Sequence, residues 1–156
     1  MKLRNVARYF DKLTCQDAYG TATFKGQLGL YDDATRDGLG SVRRILSADM
    51  DAAIPARRVI KTLNAVWLVG TDHPDYWSDT VIRNKFVLHR ADGLAHVRSA
   101  AQLIGSGTGL QAYASLVWVK SSKQVEISSE LFDVFDIYFA QGEAIEVPSF
   151  ITLAGT

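Results

Sequence analysis

Between residues 22 and 30 the chain alternates, with Ala22, Phe24, Gly26, Leu28 and Leu30 set against Thr23, Lys25, Gln27 and Gly29. A period of two places the two sets on opposite faces of a pleated strand, so this segment reads as β-structure with one face buried. Runs rich in β-branched and aromatic residues recur downstream: Ser41 to Ser47, Arg57 to Thr62, Ala65 to Thr71, Val81 to Arg90, Leu110 to Lys120, Gln124 to Ser128 and Ile145 to Leu153. About seven to nine strands with turn signals roughly every 8–12 residues define an all-β pattern. The expected fold is mainly β, a single antiparallel β-barrel or sandwich with a short N-terminal helix, formed by residues 1–156 as one domain.

The connections follow from turn chemistry. Arg57 to Thr62 and Ala65 to Thr71 should form a hairpin around Leu63-Asn64, and Leu110 to Lys120 should pair with Gln124 to Ser128 across Ser121-Ser122-Lys123. Asp32 to Gly40 and Asp72 to Asp79 have loop composition, Gly142 marks a turn, and Pro148 suits a strand edge or bulge. At the N-terminus Leu3, Val6, Phe10 and Leu13 fall at helical spacing, which predicts a helix over residues 1–14. Leu131 to Ala140 fits either period, and its density of Phe, Val, Ile and Tyr favours strand. Residues 91–109 carry Leu94, Val97, Ala101 and Ile104 near helical spacing before Gly105-Ser106-Gly107-Thr108-Gly109, and read as a short helix or a flexible insertion between strands of 19–90 and 110–153.

With 156 residues, 47% of them apolar, the chain can bury a core without a disulfide or a metal. Cys15 is its only cysteine, so no internal disulfide exists and a reducing compartment fits. Charges interrupt the first thirteen residues, so a secretion signal is not expected there, and no run reaches the ~20 apolar residues of a membrane helix. Seventeen basic and seventeen acidic side chains cancel, without the excess of a dedicated nucleic-acid binder. Their distribution is uneven. Residues 1–61 hold eleven basic against seven acidic groups, and residues 120–156 hold two against six. Either the two ends neutralise each other within one fold, or they form opposite faces that meet between neighbouring copies.

Asp72, His73 and Asp75 place two carboxylates and an imidazole within four residues, but short loops favour Asp and Pro for turn reasons alone. His89 and His96 could join them only if the fold brought all three histidines together. Gly105 to Gly109 lacks the Lys-Ser/Thr ending of a P-loop, and Ser106 and Ser115 lie in no nucleophile elbow. No residue is singled out as catalytic or metal-ligating, and no cofactor is implied. Arg43-Arg44, Arg57-Arg58, Arg83 and Arg90 recur on successive expected strands, where one of each adjacent pair must face outward. Stacked together they would form a basic stripe for phosphates or an acidic protein surface; the alternative is solvated positions paired with Asp. Trp67, Trp77 and Trp118 suit core or interface anchors better than base-stacking platforms.

The run Val42-Arg43-Arg44-Ile45-Leu46-Ser47, then Arg57-Arg58-Val59-Ile60 leading into Val66-Trp67-Leu68-Val69-Gly70, then Val81-Ile82-Arg83-Asn84-Lys85-Phe86-Val87-Leu88, resembles the small β-barrel neck proteins of tailed bacteriophages. Head-closure and head-tail joining proteins of that family form a ring beneath the portal and adaptor. The resemblance covers residues 41–90 and implies a mechanical role: self-assembly into a ring, docking on portal or adaptor, joining a tail protein, and retaining packaged double-stranded DNA without sequence preference. It also implies location in the virion after synthesis in the host cytoplasm, with no membrane partner. The candidate interface residues on this reading are Arg43, Arg44, Arg57, Arg58, Asp32, Asp33, Asp72, His73, Asp75 and Trp77. Another phage structural role, such as tail completion, collar or head decoration, is the alternative, as is a small β-barrel that binds a ligand.

Overall fold

The computed structural model describes residues 12–31, 43–72, 74–105, 108–118, 125–127, 130–132, 135–146 and 149–153. The strands are β1 (Leu13–Asp17), β2 (Thr23–Leu30), β3 (Arg43–Ala48), β4 (Val59–Lys61), β5 (Val66–Asp72), β6 (Asp75–Trp77), β7 (Thr80–Arg90), β8 (Gly93–Arg98), β9 (Leu110–Trp118), β10 (Val125–Ile127), β11 (Glu130–Phe132), β12 (Phe135–Phe139) and β13 (Phe150–Leu153), with one short helix, α1 (Ala100–Ile104), between β8 and β9.

Six of these strands close on themselves. The order β1-β2-β3-β7-β5-β4 is antiparallel at every step, and β4 returns to β1 through Gln16 opposite Lys61 and Asp17 opposite Ile60. Closure satisfies both edges of each strand and leaves an interior filled by side chains. Cys15, Leu46, Ala48, Ile60, Trp67, Val69, Phe86 and Leu88 fill it, each at most 6% exposed. Leu46, Ile60 and Leu88 are fully buried, and each such side chain contributes about 1.5–3 kcal/mol by leaving water. Trp67 meets its one polar requirement by donating from Nε1 to Thr62 Oγ1 at 3.1 Å.

Strict alternation fails on one wall, for a physical reason. Val59 and Ile60 of β4, and Trp67, Leu68 and Val69 of β5, are all buried. Ile60, Trp67 and Val69 belong to the barrel interior, while Val59 and Leu68 join Ala140, Ala18, Tyr19, Val66, Ala91 and Tyr113 in a second apolar cluster. A strand covered on both sides reads as a continuous apolar run. What covers this wall is the second sheet, four antiparallel strands in the order β12-β9-β8-β13. The two sheets are stitched by the Ala91 amide donating to the Val66 carbonyl and the Asp92 amide donating to the Ala114 carbonyl, each at 2.9 Å. Asp92 also accepts from the Leu116 amide (2.7 Å) and the Ser115 hydroxyl (3.3 Å).

The mainly β, barrel-like architecture agrees with the expectation, and so does the hairpin of β4 and β5. Leu131 to Ala140 is strand at its described positions up to Phe139, as its aromatic content suggested, divided between β11 and β12, which belong to different sheets. Several boundaries differ. Most of the expected N-terminal helix, residues 1–11, lies outside the described residues, but Leu13 and Thr14 belong to β1, where they pair with Gly26 and Lys25. Cys15 beside them is fully buried, and that long-range pairing overrides local helical spacing. Of residues 91–109, read as a short helix or a flexible insertion, Gly93–Arg98 is instead a strand between β9 and β13, and the short helix is present as α1, with a capping box of Ser99 and Gln102.

Asp72 to Asp79, expected as a loop, is partly strand where described, with Ser78 and Asp79 in the turn before β7. Asp72 ends β5, and Asp75–Trp77 forms β6, which pairs with the first half of β7 while β5 pairs with the second half. The ladder is interrupted between them at Pro74, which can donate nothing to it, while the register is kept: Asp72 stands opposite Phe86 and Asp75 opposite Arg83, and the register shifts lie between Val69 and Asp72 and between Asp75 and Tyr76. The expected pairing of Leu110 to Lys120 with Gln124 to Ser128 is replaced. β9 pairs with β12 over five positions and with β8 on its other side, while β10 pairs with β11. The final strand is confined to Phe150–Leu153, and Pro148 lies outside the described residues.

Candidate functional site: the junction of barrel and second sheet

The densest polar constellation lies where the two sheets meet. It begins with the turn before β4, closed by the Arg58 amide donating to the Pro55 carbonyl at 2.9 Å. This turn places Arg57 and Arg58 ahead of the strand rather than on it, so the expected outward-inward alternation of that pair does not apply. Both side chains instead reach into the rest of the fold.

Arg57 donates from Nε and Nη2 to Glu143 Oε2, at 2.9 and 2.6 Å, and from Nη2 to the Gln111 carbonyl at 2.8 Å. Its guanidinium carbon stands 3.4 Å from the centre of the Tyr19 ring, a stacked cation–π arrangement. The Tyr19 hydroxyl donates to Glu143 Oε1 at 2.7 Å and accepts from the Tyr113 amide at 2.9 Å. Burial, reinforced by the bond to Glu143, pushes the Tyr19 phenol far above its usual range, so it stays a donor at any ordinary pH. The Glu143 side chain is 1% exposed and that of Arg57 35%. Magnitudes decide which way Arg57 faces. Pulling it outward toward a phosphate would gain a surface ion pair of about 0–1 kcal/mol, whereas abandoning a buried carboxylate costs about 3–5 kcal/mol.

Arg58 adopts φ 49°, a left-handed conformation costly for a side chain with a Cβ. Its fixed partners hold it there: Nη1 donates to the Gly70 carbonyl (3.1 Å) and Gln141 Oε1 (3.0 Å), and Nη2 to Asp72 Oδ1 (2.8 Å). Gly142 follows at φ 96°, where a Cβ would collide with the Ala56 carbonyl oxygen. An open groove of about 450 Å³ lies along this seam, lined by Ala56, Arg58, Thr71, Asp72, Gln141 and Gly142.

The candidate residues thus separate. Arg57, Arg58 and Asp72 come together at the junction. Asp75 instead pairs with Lys85 at 2.7 Å, so the two carboxylates of the Asp72–Asp75 stretch serve different cations. Arg43 and Arg44 lie on β3 opposite His89 and Leu88, with the Arg43 guanidinium 5.8 Å from the Tyr31 ring centre. Trp77 ends β6, while Asp32, Asp33 and His73 lie outside the described residues. His89 stacks on Tyr138, and His96 Nε2 stands 3.5 Å from Gln111 Nε2. No group of three or more His, Cys, Asp or Glu able to hold a metal occurs among the described residues. Among them, too, no helix is long and apolar enough to cross a membrane.

Sequence reasoning did not single out Tyr19, Tyr113, Gln141 or Glu143. Glu143 lies 86 residues from Arg57 and 124 from Tyr19, so no local spacing could connect them. The one available signal was the acidic excess of the last third against the basic first third, which this ion pair partly neutralises inside the molecule. No protein-family model, curated protein or solved structure matches the chain.

Proposed function

We propose that this chain is a structural virion protein at the head-to-tail interface of a tailed bacteriophage, forming a ring that connects portal or adaptor to tail and retains packaged DNA. The sequence likeness over residues 41–90 supplies the class of protein. The observation that carries the reading furthest is the use made of the strongest charged groups. Arg57 with Glu143, and Arg58 with Gln141, tie the barrel to the turn after β12, while Asp72 holds Arg58 from within the barrel, which makes a stiff body suited to bearing load. The partners on this reading are further copies of the chain, a portal or adaptor protein, a tail protein and DNA passing the lumen. Its place is in the virion, and its task requires no chemical step.

Mass spectrometry of gradient-separated particles from lysed host cells tests this. The expected result is co-sedimentation with DNA-filled particles at a low, fixed, ring-like copy number. A high copy number assigns the chain to tail tube or head surface, and recovery only in the soluble fraction refutes a virion role. The seam groove favours a second reading, a small β-barrel that binds a polar ligand between Arg58, Asp72 and Gln141. A thermal-shift screen against small anions and zwitterions separates the two, since a ligand-binding module gives a saturable rise that Arg58→Ala abolishes.

A further inference from the structure

The second sheet has two open edges among the described strands: β13 pairs only with β8, and β12 only with β9. From these we infer that β13 of one copy of the chain adds to β12 of the next, so that the four-stranded sheets of neighbouring copies run into one another. This deepens the ring reading above and rests on it for closure; the joint itself is argued from four features of the two edges.

The first is exposure on both faces. Phe150, Ile151 and Thr152 are successive residues of β13 and all are exposed, Phe150 at 55% and Ile151 at 38%. Successive side chains point to opposite faces, so neither face is covered, and a partner lying on one face would leave the other wet. An added strand sets a row of side chains beside both. The second is composition. The strand Phe-Ile-Thr-Leu contains no charged residue and no Pro, the residues that normally guard an edge against pairing.

The third is direction. Every pairing in the sheet is antiparallel and the number of strands is even, so β12 and β13 run in opposite senses. A head-to-tail copy therefore meets edge to edge as an antiparallel pair, continuing the alternation without a break. Such heterologous contacts close into a ring when the rotation between copies divides a full turn. The fourth is charge. The edge strand β12 carries the exposed Asp136 and no basic residue, whereas residues 93–105 beside β13 carry Arg98 and no acidic group. Head-to-tail pairing brings these opposite charges to the same side of the joint. A two-fold pairing of β13 with β13 would join two basic sides with no carboxylate between them and leave both β12 edges open.

The test uses the full chain. The wild type is expected to sediment as an oligomer, and Ile151→Lys to weaken association at least about tenfold, with unchanged circular dichroism. Independently, Ile151→Cys and Asp136→Cys proteins are mixed and treated with a short bismaleimide; Cys15 is buried and silent. Cross-linked species are expected from the mixture and not from Ile151→Cys alone. Cross-linking of Ile151→Cys to itself, or an Ile151→Lys protein that assembles as well as wild type, overturns the joint while leaving the ring reading standing. A wild-type chain that stays monomeric at all concentrations and absent from particles overturns both.

Discussion

Truncating Glu143 to alanine removes the acceptor of the Tyr19 hydroxyl and the carboxylate partner of Arg57, which keeps only the Gln111 carbonyl as acceptor. Because Arg57 is one-third exposed it recovers some hydration, so the expected loss is about 2–3 kcal/mol, below the full cost of breaking a buried pair. Urea denaturation measures it, and Glu143→Gln, which can still accept from Tyr19, should lose less. Two further residues couple stability to pH. Burial, aided by the Arg43 cation, lowers the His89 pKa, so the unfolded chain binds the proton more readily than the folded one. Stability should therefore fall as pH drops below about 6.5, and His89→Phe, which keeps a ring against Tyr138, should flatten that slope in urea titrations. Burial pushes the Cys15 thiol from 9.0 up to about 11, with Lys25 opposing weakly. The unfolded chain ionises first, so stability contributed by the buried thiol is lost as pH rises from about 9 through 11. Replacing Cys15 by alanine should remove this alkaline dependence, and the native thiol should resist an aromatic disulfide reagent at neutral pH.

At the scale of elements, the turn Gln141-Gly142 is the piece that fastens the end of β12 to the start of β4. Gly142 combines a positive φ with a backbone approach that admits no Cβ. Gly142→Ala should cost about 1–3 kcal/mol, read as a lowered thermal midpoint, and should also weaken the Arg58 to Gln141 bond. The hairpin of β4 and β5 was legible because its turn and its two apolar runs are adjacent in the chain. β8 was not, since Leu94, Val97, Ala101 and Ile104 imitate a helical stripe across what is a strand followed by a separate short helix. Only the ladders to β9 and β13 make residues 93–98 β-structure, and both partners lie further along the chain. The break at Pro74 is a related case. A loop composition proved to be the point where one strand hands β7 over to the next.

For the whole molecule, two cores of different origin share one wall. The barrel interior depends on closure, and the second cluster depends on docking of the second sheet. Substituting Leu68 by alanine strips that wall from the outside without emptying the barrel, and should cost about 2–4 kcal/mol. The matching change inside, Leu46→Ala, should cost as much or more because the barrel cannot collapse around the void. Urea midpoints of the two variants compare the cores directly. The uneven charge along the chain was visible in the sequence, but of its two explanations the internal one is realised by Arg57 and Glu143. The same asymmetry remains available at the open edges of the second sheet.

Sequence alone determined that this chain is built from strands, because a period of two and β-branched enrichment are local properties that backbone sterics convert directly into extended structure. Tertiary structure decided which strands pair, that six of them close, and that Arg57 and Arg58 face into the molecule. Those choices depend on partners up to 124 residues away and on the cost of stranding a buried carboxylate, neither of which has a local signature.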